Sequence, residues 1–169
     1  MRSMLRSMYL LTLVAVSASA DAADSDLAEA ARAVMALDPT PTLVTVDGSG
    51  QPRARTVQVS TPDAEFTLWI ATKPNTRKVA QLRANDRVTL HYAKDADGAY
   101  VSVMGRATLH DDPESLRNHT FHSEADLAAF WPDYPKDYLL IRIATERVEV
   151  LGGGAAPDAV TWAPQGFAP

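Results

Sequence analysis

The sequence contains no cysteine, and acidic residues outnumber basic ones, with 21 Asp and Glu against 16 Lys and Arg in 169 residues. Without cysteine the chain has no disulfide, no thiolate ligand for a metal and no thiol nucleophile, so its stability depends on its core. A formal net charge of −5 argues against nucleic acid or an anionic membrane surface as a partner, because both select a basic face. Basic residues that cluster locally are therefore better suited to a small anion.

Motifs of hydrolases and metal enzymes are also scarce. The sequence has no Gly-x-Ser-x-Gly segment. The pair His119-x-x-His122, with His110 and Asp111 nearby, could supply zinc ligands, because this spacing puts two rings on one face of a helix. No Asp or Glu lies at the spacing from these histidines at which zinc-enzyme motifs place a general base. We therefore expect surface or capping roles for these histidines and no metal site.

Residues 1–20 have the pattern of a secretory signal peptide. Arg2 and Arg6 precede an apolar run over residues 8–16, and Ala18-Ser19-Ala20 supplies an A-x-A cleavage site. A buried amphipathic helix is the alternative, but the run has no polar face. It is too short for a permanent membrane anchor, and the two arginines are not adjacent as a twin-arginine signal requires. We expect a periplasmic or secreted protein without membrane attachment after cleavage.

The rest of the pattern predicts one domain of strands with peripheral helices. Helices are expected over residues 21–37, after Pro74, from Asp112 onward and over residues 118–131. Strands are expected at residues 42–46, 53–60, 66–72, 88–92, 99–110, 138–143 and 147–151. Residues 152–169 are rich in Gly, Ala and Pro, which predicts a loosely ordered tail with Trp162 and Phe167 as candidate anchors.

The stretch from Phe66 to Asn85 carries the clearest chemical signal. A β-branched and aromatic strand leads into a helix that Asn75 or Thr76 can cap, which places Arg77 and Lys78 in the first helical turn. Cations there oppose the partial positive charge of the helix N-terminus, at a cost of a few tenths of a kcal/mol each. A bound phosphate removes that conflict. Two solvated surface residues are the alternative, and the pattern alone leaves both open.

Several motifs together resemble the pyridoxamine 5′-phosphate oxidase-like FMN-binding split barrels. These are Thr72-x-x-x-Thr76-Arg77-Lys78, the strand Arg55-Thr56-Val57, and the strand over residues 101–107 that ends in Gly105-Arg106-Ala107. Residues 85–92 and Asp111-Asp112-Pro113 are similar to the general stress protein branch of the family. The order and spacing of these motifs match the family over residues 38–151.

This resemblance implies a mainly β fold, an antiparallel six-stranded split β-barrel that forms a homodimer with FMN at the interface. The phosphate would be held by Arg55, Thr76, Arg77 and Lys78, and Thr72 would lie near the ring system. The other implied contacts are Thr56 and Val57 beside Arg55, and Tyr100, which stands where the oxidases have a flavin-contacting Gln. A further departure is Ser60, where the family often has Lys.

Two functions remain open at this stage. The first is an FMN-dependent oxidoreductase, although not pyridoxamine phosphate oxidase itself, because the C-terminal end lacks that enzyme's closing Arg-Leu-x-Pro. The second is a non-catalytic exported protein that binds a flavin or haem, or a barrel that has lost its cofactor. Haem would need an axial ligand, for which His119 and His122 are the candidates. The turn over residues 131–135 is either a cover for the flavin ring or a hydrophobic lid on the barrel.

Overall fold

The computed structural model describes residues 22–93 and 98–169. The predicted signal peptide at residues 1–20 and most of the predicted turn at residues 95–98 therefore lie outside the described residues. The helices are α1 (residues 22–36), α2 (Arg77–Ala84), α3 (Pro113–His119) and α4 (Glu124–Phe130). The strands are β1 (Thr42–Val46), β2 (Pro52–Thr56), β3 (Leu68–Thr72), β4 (Arg87–Tyr92), β5 (Tyr100–His110), β6 (Leu139–Leu151) and β7 (Gln165–Phe167). In the two ranges that the structure covers, no helix has the length and apolarity needed to cross a membrane.

The strands form one antiparallel sheet in the order β2-β1-β4-β5-β6-β3, with β7 added to the side of β6. The ends of this sheet meet beyond β2, where the Ser60 backbone N–H donates to the Trp69 carbonyl at 2.9 Å. The Trp69 N–H donates in turn to Ser60 Oγ at 3.0 Å. The sheet therefore curls into the predicted mainly β barrel, and β7 is one strand more than the six-stranded barrel that the resemblance implies.

Alternation along the strands directs one set of side chains into a continuous core. Leu43 on β1, Leu90 on β4 and Val103 on β5 are fully buried, while their immediate neighbours along each strand are partly exposed. Each such aliphatic side chain stabilises the fold by about 1.5–3 kcal/mol relative to exposure. Helix α1 packs on this core with Ala31 and Val34. A second, smaller cluster lies under α3 and α4 and consists of Leu116, Trp131, Tyr138 and Leu140.

The last long strand is continuous where the sequence predicts two. The register of β5 against β6 shifts between Met104 and Gly105, so that Met104 faces Arg147, Gly105 faces Thr145, and Glu146 is left as an extra residue. This bulge interrupts the alternation of buried residues without ending the strand. The Glu146 carboxylate accepts from Arg106 Nε at 2.8 Å, an exposed ion pair beside the bulge.

The other differences concern the ends of elements. Strand β2 ends at Thr56. Beyond it the Val57 N–H donates to the Pro41 carbonyl at 3.0 Å, and the chain then reaches β3, where the Ser60 N–H donates to the Trp69 carbonyl. The helix predicted over residues 118–131 is confined to α4, where Ser123 and Asp126 form a reciprocal capping box. Thr76, and not Asn75, is the N-cap residue of α2.

The expectation of a loosely ordered tail is wrong for residues 165–167. This segment forms β7, and the Phe167 side chain is 5% exposed. Its ring packs edge-on against Phe66 at 5.3 Å between centroids, so Phe167 anchors the segment to the barrel. Trp162, the other candidate anchor, is 71% exposed.

We expect Gly105→Ala to lower the free energy of unfolding by about 1–3 kcal/mol, because a Cβ at this position would overlap the Ala144 carbonyl at the bulge. Gly48→Ala is the matched control, since no atom lies within 4 Å of a Cβ there, and it should change stability by less than about 0.5 kcal/mol. Urea unfolding measures both variants. Equal stability of the two would contradict the register described for β5 and β6.

Candidate functional site

The β3–α2 connection presents an open helix N-terminus. Thr76 has extended backbone angles, φ −80° and ψ 154°, as an N-cap residue should, but its side chain makes no capping hydrogen bond. The first turn of α2 contains no acidic residue. Val79 and Leu82 are buried in the core and fix the helix on the barrel. The Val79 N–H donates to the Thr76 carbonyl at 3.1 Å, which leaves the N–H groups of Arg77 and Lys78 available to an acceptor from outside the helix.

Arg55 is held on the barrel side of β2 by three contacts. Its Nη1 donates to Thr45 Oγ1 at 2.6 Å and to the Leu43 carbonyl at 3.4 Å, and its Nη2 donates to Gln81 Oε1 at 2.9 Å. Thr45 is fully buried, and its hydroxyl also donates to Gln81 Oε1 at 2.7 Å. These bonds orient the half-buried guanidinium between β1 and α2.

Lys78 is held in the same way from the β3 side. Its Nζ donates to Thr72 Oγ1 at 2.8 Å, and the Thr72 hydroxyl lies 3.3 Å from that of Thr76. Thr72 is 4% exposed, so this contact draws the ammonium toward the interior. The resemblance placed Thr72 near a ring system, and the structure places it in a polar cluster with Lys78 and Thr76.

The charges in this cluster are not balanced. Burial lowers the pKa of Arg55, and the charge of Arg77 lowers it further. Burial also lowers the pKa of Lys78, with an added contribution from the charge of Arg55. Within residues 22–93 and 98–169, no carboxylate forms a salt bridge with any of these three cations. An anion bound among them would relieve both the repulsion and the desolvation.

The structure therefore brings together Arg55, Thr72, Thr76, Arg77 and Lys78 from the predicted set. Thr56 lies exposed at the end of β2, while the Val57 side chain belongs to the core. Tyr100 is half-buried on β5, its ring 5.4 Å from that of His91, and no hydrogen bond joins it to the cluster.

Thr45 and Gln81 were missed by the sequence analysis. A signal for each was present. Thr45 interrupts the apolar face of β1, and Gln81 follows Arg77 by four residues, which puts both on one face of α2.

Three of the four histidines occupy a separate region near α3 and α4, and His91 lies on β4. The His119 ring stacks on Trp69 at 4.0 Å, and His122 Nδ1 lies 3.1 Å from the Tyr138 hydroxyl. His110 lies between Thr108 and Ser115. In the part of the chain that the structure describes, no three His, Asp or Glu side chains come together as metal ligands.

The sequence profile of the family described as pyridoxamine 5′-phosphate oxidase matches residues 27–152. The chain belongs to this family. The match includes the barrel, the cationic cluster and most of α1, so the resemblance read from the motifs is confirmed. A search among curated proteins found no match to the chain.

Solved structures show the same fold at low sequence identity. General Stress Protein 26 from Bacillus anthracis is 20% identical, with a TM-score of 0.65 over 84% of this chain and 98% of that one. A pyridoxamine 5′-phosphate oxidase-related, FMN-binding protein from Nostoc punctiforme is 16% identical, with a TM-score of 0.59 over 84% and 93%. A heme-binding protein from Mycobacterium smegmatis is 20% identical, with a TM-score of 0.63 over 83% and 57%. These structures therefore share the barrel while differing in what their names say they bind.

We expect 20 mM inorganic phosphate to raise the free energy of unfolding by about 1–2 kcal/mol relative to chloride at equal ionic strength, as a site with a Kd near 1 mM would. Lys78→Met keeps the apolar stem and removes the charge, and it should abolish most of this gain. Lys73→Met is the control, because Lys73 lies in the same connection but pairs with Asp137 at 3.6 Å. If phosphate still raised the free energy of unfolding of Lys78→Met by the same amount, Lys78 would not be part of the phosphate site.

Proposed function

We propose that this chain binds FMN, with the phosphate held at the N-terminus of α2. The observation that carries the proposal is the group of three cations, Arg55, Arg77 and Lys78, gathered there without a carboxylate among the described residues. A phosphomonoester carries the negative charge that would balance these three cations, and its oxygens can accept several hydrogen bonds from them. Family membership and an FMN-binding structural neighbour support the same ligand.

Each residue would have a different role in binding the phosphate, set by its position. Arg55 is oriented in advance by Thr45 and Gln81, so that little side-chain entropy is lost when its remaining N–H groups meet phosphate. Lys78 supplies a second, less exposed charge beside Thr76, whose hydroxyl makes no capping bond. Arg77 is exposed and closes the site from the solvent side. We assign Thr56, Val57 and Tyr100 to the flavin side of the site.

When bound, the flavin would supply hydride or single-electron transfer, and the protein would position it. We therefore propose an FMN-dependent oxidoreductase. We assign no general acid or general base to the cluster. Ser60 stands where the family often has Lys, and Tyr100 stands where the oxidases have a flavin-contacting Gln, so both departures favour weaker FMN binding than in the oxidases. A non-catalytic flavin carrier is the alternative.

We also propose that the chain is exported, on the pattern of residues 1–20, and that it works as a homodimer. One row of the outer sheet face supports the dimer. The strand register aligns Ala54, Val44, Thr89 and Met104 across four strands. This uncharged row on neighbouring strands is suited to contact with a second copy of the chain.

Replacing both Arg77 and Lys78 by Ala should weaken FMN binding at least 100-fold, because each removes a charge-assisted contact worth about 1.5–3 kcal/mol. Quenching of flavin fluorescence measures the Kd. Riboflavin, which lacks the phosphate, should bind the unaltered protein as weakly as FMN binds the double variant. The control is Arg83→Ala with Arg87→Ala, two exposed arginines at the far end of α2 and the start of β4.

Retention of FMN by the Arg77 and Lys78 variant, with its unfolding transition unchanged, would refute the phosphate site. The same absorbance spectra test haem, the ligand named for one structural neighbour. A Soret band that disappears in His119→Ala or His122→Ala would favour haem over FMN.

Val44→Arg should convert the dimer to a monomer, because it places a charge in the middle of the proposed contact. Sedimentation velocity measures the change. Val160→Arg is the control, since Val160 is 88% exposed in the C-terminal segment and should leave the dimer intact. A dimer that persists in Val44→Arg would place the contact elsewhere.

A further inference from the structure

A cavity of about 450 Å³ lies between α1 and the segment that follows β2. Its walls include Arg32, Met35, Asp38, Val59, Pro62 and Tyr92. Its volume is that of a small-molecule site, and its surface is mostly apolar. The cavity lies where β4 ends at Tyr92, and none of the residues of the cationic cluster lines it. It is thus a separate place in the barrel from the proposed phosphate site.

Asp38 brings a carboxylate into this wall without a cation beside it. The residue is 8% exposed. One carboxylate oxygen accepts from the Thr40 N–H at 3.2 Å, and the other accepts from the Ala93 N–H at the long distance of 3.4 Å. Within the described ranges no Lys, Arg or His forms a salt bridge with it. A buried carboxylate with so few partners is costly, and a cationic ligand would offset that cost.

Tyr92 adds a second unsatisfied group to the same cavity. The residue is 2% exposed, and its hydroxyl has no hydrogen-bond partner among the described residues. Burial raises the pKa of Tyr92, and the negative charge of Asp38 raises it further, so the hydroxyl stays protonated. Buried hydroxyl groups normally find a partner, and a ligand in the cavity would be one.

Arg32 does not serve as the missing cation. Its guanidinium donates to the carbonyls of Pro62 at 3.1 Å, Asp63 at 2.6 Å and Ala64 at 3.1 Å. It also lies 4.2 Å above the centre of the Phe66 ring. These contacts fasten α1 to the segment that forms the other wall. Arg32 therefore helps to fix the shape of the cavity, and although it lines the same cavity it forms no salt bridge with Asp38.

We propose that this cavity binds a small organic amine, with the ammonium group on Asp38 and the Tyr92 hydroxyl and the apolar body against Met35, Val59 and Pro62. The argument is one of complementarity. The mostly apolar walls favour a ligand with an apolar body, and the carboxylate of Asp38 favours a ligand with a positive charge over a neutral or negative one. The inference does not depend on FMN, because the two sites share no residue.

Calorimetric titration with three matched probes tests the proposal. Tryptamine is the cation, indole-3-ethanol is its neutral counterpart and indole-3-propionate is its anionic counterpart. We expect one tryptamine per chain with a Kd below about 1 mM, at least tenfold weaker binding of the alcohol and no saturable binding of the acid. Equal affinity for the amine and the alcohol, or no saturable binding of the amine, would overturn the proposal.

Variants locate the site. Asp38→Asn should weaken tryptamine at least tenfold and Tyr92→Phe about threefold, whereas Asp26→Asn on α1 should have no effect. Ala36→Phe, on the cavity side of α1, should block the amine, and Ala33→Phe on the same helix should not. These two variants keep Asp38 in place, so they test the site even where Asp38→Asn does not fold. Unchanged affinity in both Asp38→Asn and Ala36→Phe would refute the assignment.

Two further controls distinguish the amine site from the proposed FMN site and from an ion pair between Asp38 and Lys94. The variant with Arg77→Ala and Lys78→Ala should bind tryptamine normally, since failure of the FMN site leaves the cavity intact. Lys94 follows Ala93 in the sequence and lies outside the described residues. Lys94→Ala should leave the Kd for tryptamine unchanged. Tenfold tighter binding by this variant would instead identify Lys94 as the cation that serves Asp38, and would overturn the proposal.

Discussion

The half-buried guanidinium of Arg55 joins three elements of the barrel at one point. It extends from β2, donates to Thr45 on β1 and donates to Gln81 on α2. These bonds position α2 on the sheet together with the buried Val79 and Leu82, and the position of α2 decides where Arg77 and Lys78 lie. The arrangement gathers like charges at a helix terminus that is itself positive, so it is unfavourable until an anion arrives. Such local conflict is expected at a binding site, because charges that are grouped to bind a ligand destabilise the protein without it.

The barrel presents two different chemistries at two separate places. Under α2, the cations Arg55 and Lys78 meet without a carboxylate among the described residues. Under α1, the carboxylate of Asp38 meets no cation there. In both places the polar group is held by neutral partners, Thr72 and Gln81 in one and backbone N–H groups in the other. Neutral partners orient a charge without cancelling it, which leaves the charge available to a ligand.

Membership of the pyridoxamine 5′-phosphate oxidase family accounts for the fold more fully than for the ligand. The structural neighbours are 20% identical or less, and they include proteins named for FMN and for heme. A barrel of this kind keeps its core under wide sequence change, because buried positions ask only for apolar side chains of suitable volume. What such a barrel binds depends on a few polar residues, and our proposal for this chain assigns that role to the residues at the start of α2.

The sequence by itself determined the strand-to-helix segment, the positions of most strands along the chain and the place of Arg77 and Lys78 in the first turn of α2. Those features rest on local pattern, namely alternation, capping and the position of charges in a helical turn. It could not determine that β6 runs through a bulge at Glu146, that residues 165–167 form a strand, or that Thr45 and Gln81 fix Arg55. Each of these depends on contacts between residues far apart in the chain, such as Phe167 with Phe66 and Arg55 with Gln81. The cavity between α1 and the segment after β2 is of the same kind, since Asp38 and Tyr92 meet only once the barrel has closed and the helix has packed on it.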